Sequence, residues 1–422
     1  MGIIKNYDTL NSNENRKIAL ELIETAFSSL TPQEIFKNFL FEDNKLKILE
    51  EEFDLSNFDR VFLVGFGKGS AEMSRIIEEK LGDRLTVGYD IDVVDETPFK
   101  KIEYTKGTHP LPSQENFDYT AKVIEKLTGL TEKDFVIVVT CGGGSALFEK
   151  PNTFSLEEMQ KMNKGLLECG ATISEMNTIR KHVSQVKGGG LAKILYPASV
   201  VNIIFSDVPG NDLSVIASAP LVKDPTTIEE AKEVIKKYNL TIPTESDLVE
   251  RPKEDKYFEK VKNILMLSNL TAINAMAKKA EELGFTPRTL TDRLQGDARV
   301  TGEKLINETH SGEILLAGGE TTMKVVGRGL GGRNQALALF SLPFLDENTL
   351  LVSFSTDGWD FYWFAGAMVD KDTKKKIKEM NIDVNEYLDD DNSYGLLERI
   401  GDGIRTGKQE SNVSDLYIVI KR

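Results

Sequence analysis

The sequence contains little cysteine and histidine. Among 422 residues there are two cysteines, Cys141 and Cys169, and three histidines, all far apart along the chain. Two cysteines exclude a disulfide framework, although they leave room for one bridge. So few cysteine and histidine side chains, so widely scattered, also exclude a structural zinc site. A cytoplasmic location is therefore the default expectation.

Long apolar runs and an excess of basic residues are also absent. No run approaches the ~20 apolar residues of a membrane span, and the first residues lack the apolar core of a signal peptide. The net charge is −15, from 67 acidic and 52 basic side chains. Nucleic acids and membrane surfaces usually bind a basic face. The composition therefore predicts a globular enzyme with neither kind of partner.

Glycine clusters beside single charged residues are the most informative motif. They are GFGKGSA (65–71), CGGGSA (141–146), KGGG (187–190), DVPGND (207–212), GGE (318–320), GRGLGGRNQ (327–335) and TDGWD (356–360). Glycine adopts positive φ and brings backbone N–H groups close to an anion. Several clusters follow apolar runs, and open α/β sheets bind ligands at the ends of such strands. Together they predict a cleft for a polyphosphate, its metal ion and an anionic substrate.

Short apolar segments alternate with helical patterns from residue 60 onward. The segments 61–65, 135–140 and 200–206 are each followed by a helix-like stretch. Alternation of this kind predicts a mostly parallel sheet wrapped by helices, and therefore the α/β class.

A polar stretch at 239–256 divides the chain. It contains two prolines and many charges without periodicity, which favours a linker or an exposed crossing. We therefore expect two domains, at 1–245 and 246–422. In the second, EILLAGG and TTMKVVG could pair as antiparallel strands and give a mixed sheet. The final DLYIVIKR could return to either sheet.

Lys68 is the distinguishing residue of the first glycine loop. The G-x-G-x-x-S pattern follows VFLV and precedes a helix-like segment, and Ser70 replaces the third glycine of a dinucleotide fingerprint. An ammonium beside Gly67 could neutralise a transferring phosphoryl oxygen or a substrate carboxylate. The alternative is a solvated lysine on a tight turn.

Two further loops combine glycine with polar side chains. The CGGGSA loop contains Gly142, Gly143, Gly144 and Ser145. Its glycines leave room for an anion against the backbone, and its serine could add a hydroxyl group. The alternative is a tight turn that packs a strand closely on a helix. Lys187, in KGGG, could bind an anion or complement the dipole of the preceding helix.

Charged side chains follow several strand candidates. Asp207 lies just beyond one, where it could hold Mg²⁺ or accept a hydroxyl proton. The alternative is an Asx turn before Pro209. Glu320 and Arg333 flank a glycine-rich loop, and arginine suits the bidentate recognition of a carboxylate or a phosphate. Asp357 lies at a further strand end.

An aromatic run follows Asp357. It consists of Trp359, Phe361, Tyr362, Trp363 and Phe364, interrupted by Asp360. These rings could form the wall of a base-binding site or fill the core. Core filling is the expectation for most of them.

Eight motifs in this order resemble the class II glycerate kinases, the MOFRL-type glycerate 2-kinase family. They are VGFGKGSAEM, GTHPLPSQEN, CGGGSAL, MNTIRKHVSQVKGGGLA, FSDVPGNDLSVIASAP, LAGGETTMKVVGRGLGGRNQ, STDGWD and TGKQESNVSDLYIVI. The resemblance implies a Rossmann-like αβα N-terminal domain and a smaller mixed-sheet α/β C-terminal domain, with the active site in the cleft between them. It also implies that ATP and Mg²⁺ serve the phosphorylation of D-glycerate, giving 2-phospho-D-glycerate and ADP.

The resemblance assigns catalytic roles to three residues. The family's loop lysine falls on Lys68, its glycine-flanked arginine on Arg333, and its strand-end aspartate on Asp207, the expected magnesium ligand. The residues expected to bind substrate or phosphate are Gly67, Gly142, Gly143, Gly144, Ser145, Lys187, Glu320 and Asp357. The sequence departs from the family at Cys141, where serine is more usual. It also departs at 359–362, where bulky residues replace an aspartate-glycine pair with small neighbours.

Three alternatives stay open. The first glycine loop is compatible with an NAD(P)-dependent hydroxypyruvate reductase, with Asp92 or Asp95 binding the ribose hydroxyl groups. A sensor of phosphorylated metabolites would need anion sites but no magnesium-binding carboxylates. Phosphorylation at C3 instead of C2 would require a shift of roughly an ångström in substrate placement. A homo-oligomer is compatible with the sequence.

Overall fold

The computed structural model describes residues 2–95, 98–240, 244–409 and 411–422, so residues 241–243 of the predicted linker lie outside the described residues. In that part of the chain, no helix is both long and apolar enough to cross a membrane. The chain divides into two compact units. The parallel-sheet unit contains Phe36–Ser206 and Asn211–Met266. The mixed-sheet unit contains Met1–Ile35, Asp207–Gly210 and Leu267–Arg422.

The strands are short and spread over the whole chain. They are β1 (Phe39–Glu42), β2 (Lys45–Ile48), β3 (Glu51–Asp54), β4 (Arg60–Phe66), β5 (Val87–Asp92), β6 (Ile102–Lys106), β7 (Asp134–Thr140), β8 (Ser199–Phe205), β9 (Val261–Leu267), β10 (Thr286–Leu294), β11 (Glu313–Gly319), β12 (Thr349–Ser355), β13 (Gly366–Val369), β14 (Gly403–Ile404) and β15 (Asp415–Lys421).

The α-helices alternate with many of these strands. They are α1 (Tyr7–Leu10), α2 (Glu14–Ser29), α3 (Pro32–Ile35), α4 (Ser70–Leu81), α5 (Gln114–Leu127), α6 (Gly144–Leu147), α7 (Leu156–Glu168), α8 (Ile173–Val183), α9 (Gly190–Leu195), α10 (Ile228–Lys237), α11 (Asn269–Glu282), α12 (Ala298–Glu308), α13 (Arg333–Phe340), α14 (Lys371–Glu379), α15 (Val384–Asp389) and α16 (Ser393–Ile400).

The main sheet of the parallel-sheet unit has the strand order β6-β5-β4-β7-β8-β9. The pairs β4/β5, β4/β7, β5/β6 and β7/β8 are parallel. Counted along the chain, this is the order of dinucleotide-binding Rossmann folds. Leu63 and Val64 point to opposite faces of β4 and both are fully buried, as expected for a sheet covered on both sides. The structure therefore confirms the predicted α/β class with a Rossmann-like first sheet.

The mixed-sheet unit has the strand order β10-β11-β15-β12-β13-β14. Only β10 and β11 pair in parallel among its described strands. The last strand, β15, lies between β11 and β12 and so belongs to this sheet. The pairing expected between EILLAGG and TTMKVVG is wrong, because β11 pairs with β10 and β15. The N–H groups of Val326 and Gly327 instead donate to the carboxylate of Asp391, at 2.6 and 2.8 Å.

Helix α2 packs within the mixed-sheet unit, beside α11. Its Arg16 is fully buried, and the guanidinium donates to Asp370 at 2.7 and 2.9 Å and to Asp402 at 2.7 Å. The sequence analysis places one boundary between residues 245 and 246, whereas the contacts group the first helices with the C-terminal part. The buried ion pairs and the apolar stripe of α2 are the physical reason.

Candidate active site

The first glycine loop joins β4 to α4. Every backbone N–H group at positions 67–71 donates to an acceptor within the protein. Those of Gly69 and Ala71 donate to one oxygen of Asp92, at 2.9 and 3.2 Å. The Asp92 carboxylate therefore occupies the N-terminus of α4, where an anion is stabilised by N–H groups and by the helix dipole. In this structure the amides are not available to a phosphate.

Two buried carboxylates at the end of β5 support this loop. Asp90 accepts hydrogen bonds from the hydroxyl groups of Ser70, at 2.9 Å, and Ser74, at 2.5 Å. Burial raises the pKa of Asp90 to about 7, although the two hydroxyl groups act in the opposite direction. Burial also raises the pKa of Asp92, against the effect of its amide donors. The ribose role considered for Asp92 is therefore disfavoured, and Asp95 pairs with Lys106.

The side chain of Lys68 is what this loop presents to solvent. Lys68 is exposed, and the structure gives its ammonium no hydrogen-bond or ion-pair partner among the described residues. Its backbone N–H donates to Gly142 O at 2.7 Å. A methyl group on Gly67 would lie 2.5 Å from Cys141 O. Glycine at this position therefore allows the first two glycine loops to touch, and this contact holds Lys68 beside the second loop.

The second glycine loop, between β7 and α6, differs from the first in the use of its backbone N–H groups. The N–H of Gly144 donates to Cys141 O at 3.2 Å. The N–H groups of Gly142, Gly143 and Ser145 have no acceptor in the part of the chain that the structure describes. These three residues are half-buried rather than enclosed. Successive N–H groups of this kind form a concave anion-binding site.

Lys68 and His109 lie against this second loop. A methyl group on Gly143, which has φ of +77°, would lie 2.8 Å from the His109 ring and 3.2 Å from Lys68 Cε. Burial, and then the charge of Lys68, lower the pKa of His109. Sequence analysis did not single out His109, although it lies within the GTHPLPSQEN motif. The loop therefore combines open amides with a nearby ammonium and a neutral imidazole.

The KGGG loop is fixed from within the protein. Lys187 is 1% exposed and its ammonium pairs with Glu149. Burial lowers the pKa of Lys187, and Glu149 opposes this effect. The geometry favours a structural role for Lys187 over the predicted contact with phosphate. The hydroxyl groups of Ser145 and Ser218 are 3.0 Å apart, which ties the second glycine loop to a neighbouring segment.

In the mixed-sheet unit, the start of β15 gathers the predicted site residues. Arg333 Nε donates to Asp415 Oδ2 at 2.6 Å, and Arg333 Nη1 lies 2.6 Å from Glu320 Oε1. The register places Asp415 opposite Gly319 of β11 and Ser355 of β12. Arg333 thus contacts both Glu320 and a third residue, Asp415, that sequence analysis missed. The signal was present in SDLYIVI, where an aspartate opens an otherwise apolar strand.

Asp207 and Asp357 lie near the same point. The hydroxyl of Ser414 donates to Asp207 O at 2.5 Å, and the N–H of Thr356 donates to Ser414 O at 3.2 Å. The carboxylate of Asp357 accepts from the hydroxyl of Ser355 and from the N–H of Trp359, at 2.8 and 2.9 Å. Asp357 therefore forms an Asx turn that shapes the loop after β12.

The glycine-rich loop before α13 is also satisfied internally. Asp360 is 5% exposed and accepts the N–H groups of Asn334 and Gln335, at 3.2 and 2.9 Å. Its carboxylate thus occupies the N-terminus of the helix that carries Arg333. Burial, followed by the charge of Asp415, raises the pKa of Asp360 to about 7. The loop offers the side chain of Arg333, in the same way as the first loop offers Lys68.

The aromatic run divides between core and surface. Phe364 is 2% exposed, as core filling predicts, whereas Phe361 and Trp363 are 64% and 60% exposed. Trp359 and Tyr362 are half-buried. The expectation that most of these rings fill the core is therefore wrong. Phe361 and Trp363 both have positive φ, of 70° and 39°.

Family models match two parts of the chain. Residues 18–251 match a domain of unknown function, DUF4147, and residues 313–415 match the MOFRL family. The first match covers more than half of the chain and includes the glycine loops at 65–71, 141–146 and 187–190. The second includes Glu320, Arg333 and Asp415. A Rossmann-like sheet followed by a MOFRL segment defines the class of protein.

Proteins that are similar to this chain over nearly its whole length are known from several organisms. The glycerate 2-kinase of Pyrococcus horikoshii is 35% identical over 96% of this chain and 97% of its own. The crystal structure of glycerate kinase from Thermotoga maritima has a TM-score of 0.86 at 34% identity, covering 96% of this chain and 99% of that one. A putative hydroxypyruvate reductase of Agrobacterium vitis is 31% identical over 98% of this chain and 96% of its own. The chain belongs to the MOFRL-type glycerate 2-kinase family.

Proposed function

We propose that this protein transfers the γ-phosphoryl group of ATP to a hydroxyl group of D-glycerate. Relatives named glycerate 2-kinase match nearly the whole chain. The observation that carries the proposal is the set of three open amides, of Gly142, Gly143 and Ser145, beside the ammonium of Lys68. Phosphoryl transfer asks for positioning and charge neutralisation more than for covalent chemistry. Open amides and a free ammonium supply both.

Lys68 and the open amides would hold phosphate oxygens in the parallel-sheet unit. The amides would orient the phosphate oxygens by donating hydrogen bonds to them. Lys68 would neutralise the negative charge that develops on the leaving oxygen as its bond to the γ-phosphorus breaks. The neutral form of His109, favoured by its lowered pKa, adds no second positive charge at this point. Gly144 and Gly67 would act through the backbone, by keeping the loops close.

Arg333 would bind an anionic group in the mixed-sheet unit. Its Nε and Nη2 are held by Asp415, which is fully buried, whereas Nη1 faces Glu320, whose side chain is 44% exposed. An incoming carboxylate or phosphate can replace the exposed partner while the buried one keeps the guanidinium in place. Glu320 would then act as an exchangeable partner of Arg333.

We expect magnesium to be bound by this protein together with the phosphates of the nucleotide. The described residues contain no group of three or more His, Cys, Asp or Glu side chains that could hold a metal ion. Kinase magnesium needs fewer, because it keeps waters and binds through one or two carboxylates plus substrate phosphates. Asp207, just after β8, is the carboxylate that we propose for this role. When bound, the ion would neutralise phosphate charge.

Two assays test the proposal. D-Glycerate-dependent release of ADP from ATP is expected, and phosphorus NMR of the product is expected to give 2-phospho-D-glycerate, as the names of the relatives suggest. A 3-phospho product would support the kinase activity but show that the hydroxyl group at C3 is phosphorylated. Oxidation of NADH with hydroxypyruvate, without ADP release, would refute the kinase. The internal use of the Asp92 carboxylate disfavours that outcome.

A further inference from the structure

The loop at 359–364 contains both tryptophans of the chain. Trp359 and Trp363 meet edge to face, with ring centroids 5.9 Å apart, and Lys408 Nζ lies 5.0 Å from the centre of the Trp359 ring. Phe361 and Trp363 expose more than half of their surface. The loop therefore presents aromatic faces and one cation together.

The loop is held in place and is directly attached to the site. The N–H of Asp360 donates to Phe364 O at 2.8 Å and closes the loop, and the Phe364 ring is buried beneath it. The carboxylate of Asp360 caps α13 at Asn334, the residue after Arg333. The exposed rings are thus anchored to the start of the helix that carries the arginine.

The conformation of the loop is unfavourable for the isolated protein. Positive φ is uncommon for bulky residues, because the side chain crowds the backbone. Phe361 and Trp363 both adopt it, with φ of 70° and 39°, and exposing their rings gives up the hydrophobic gain of burying them. Strain of this kind tends to occur where a protein handles a ligand. Packing among the described residues leaves both rings exposed.

We propose that Phe361 and Trp363 form a stacking site for the purine base of the nucleotide. This proposal rests on the proposed function, which supplies two organic substrates. Glycerate is a small polyhydroxy acid without an apolar face, whereas a purine is a planar aromatic ring that stacks on Phe and Trp.

Tryptophan fluorescence tests the site in the full-length protein, because both tryptophans lie in this loop. Titration with ATP or ADP, excited beyond the absorption of adenine, is expected to change the emission. Tripolyphosphate has the phosphates without the base and is expected to leave it unchanged, as is D-glycerate. An equal response to tripolyphosphate and ATP would overturn the stacking site. So would an emission that depends on protein concentration alone, which would indicate that a second copy of the chain covers the rings.

Kinetics of substituted proteins provide the second test. Trp363→Ala and Phe361→Ala are each expected to raise KM for ATP roughly tenfold, the scale of a lost base–aromatic stack, with KM for D-glycerate unchanged. Phe344→Ala, at a 42% exposed phenylalanine of the same unit, is the matched control and should change neither. If glycerate-dependent ADP release persists and KM for ATP is unaltered in both variants, the stacking site is wrong and the kinase stands. Without any ADP release from the parent protein, the kinase itself fails.

Discussion

Arg333 is bound by two carboxylates of very different exposure. Asp415 is fully buried and accepts hydrogen bonds from Nε and Nη2 of Arg333, whereas the half-exposed Glu320 pairs with Nη1. Burial raises the pKa of Asp415, and its bond with Arg333 opposes this. A buried carboxylate that grips two nitrogens fixes the plane of the guanidinium. We therefore regard Asp415 as a positioning residue that acts through Arg333.

The role of Asp415 leads to a double-mutant prediction. Asp415→Asn is expected to lower kcat/KM roughly tenfold to a hundredfold, because a misplaced clamp costs about that much. In an Arg333→Ala background, which itself loses roughly 10²–10³-fold in turnover, the same change is expected to cost nothing further. Steady-state kinetics of the four proteins would measure the coupling. Independent, multiplying losses would contradict the positioning role.

Asp360 makes the stability of the protein depend on pH. Its folded-state pKa of about 7 lies above the value of about 3.9 for an unfolded aspartate. Between these values the folded protein keeps a proton that the unfolded chain has lost, so the free energy of unfolding falls as pH rises. Asp360→Asn cannot ionise, and its amide oxygen can still accept an N–H group.

The stability of Asp360→Asn relative to the parent is therefore expected to increase between about pH 5 and about pH 8, by up to about 1.4 kcal/mol per pH unit. Urea denaturation at both pH values would measure it. Asp83→Asn, at a fully exposed carboxylate, controls for the loss of one negative charge. A difference that is the same at both pH values would show that Asp360 is ionised throughout.

Sequence reasoning singled out the candidate side chains better than their partners. Lys68 stands between two glycines and Arg333 follows two, and this pattern drew attention to both cations. Asp92, Asp360 and Asp415 were not, because each meets its partner through the tertiary fold, from a strand end remote in sequence. A pattern of residues reveals an amide-rich loop, but it does not reveal whether a distant carboxylate already occupies it.

At the scale of elements, the glycine loops differ in what binds their backbone N–H groups. Those before α4 and α13 are closed by Asp92 and Asp360, and each presents one long cationic side chain. The loop between β7 and α6 keeps three amides open. In the KGGG loop, the N–H groups of Gly188 and Gly189 donate to the carbonyl groups of Ser218 and Ala219. The expectation of repeated anion sites therefore stays a prediction for the loop between β7 and α6, whose open amides no carboxylate of the described chain reaches.

Gly143 offers a test of the open loop with a close internal control. Gly143 and Gly170 have φ of +77° and +74°, but a methyl group would meet His109 and Lys68 at Gly143 and nothing within 4 Å at Gly170. Alanine at either position is expected to cost about 1 kcal/mol of stability from strain. Only Gly143→Ala is expected to lose activity, by displacing Lys68. Thermal unfolding and ADP-release assays compare the two. Equal activities would remove the loop from the site.

At the scale of the whole molecule, α2 belongs with the C-terminal half of the chain. Arg16 is its anchor, since it pairs with Asp370 and Asp402 in the interior. Burial by itself would raise the pKa of Asp370, yet the bonds from Arg16 keep it below its ordinary value. The alternation of strands and helices predicted the parallel sheet, but no local pattern links a helix at 14–29 to carboxylates more than 300 residues later.

Arg16→Met is expected to destabilise the protein by about 3–5 kcal/mol, because the buried carboxylates of Asp370 and Asp402 lose the guanidinium between them, and only Asp402 keeps a second cation, Lys376. Arg75→Met, which removes an arginine paired with Glu72 and Glu79 on the surface of α4, is expected to cost less than about 1 kcal/mol. Chemical denaturation of both variants would measure the difference. Equal losses would mean that the Arg16 network contributes no more than a surface ion pair.

The placement of β15 sets an order of events during synthesis. This strand, at Asp415–Lys421, fills the middle of the mixed sheet between β11 and β12, and α2 packs into the same unit. Helix α2 leaves the ribosome well before β15. The parallel-sheet unit, whose segments all lie between, can fold while α2 still waits without its partners. Helix α2 is thus made before the parallel-sheet unit but secured after it, and chaperones that bind exposed apolar helices would meet it in that interval.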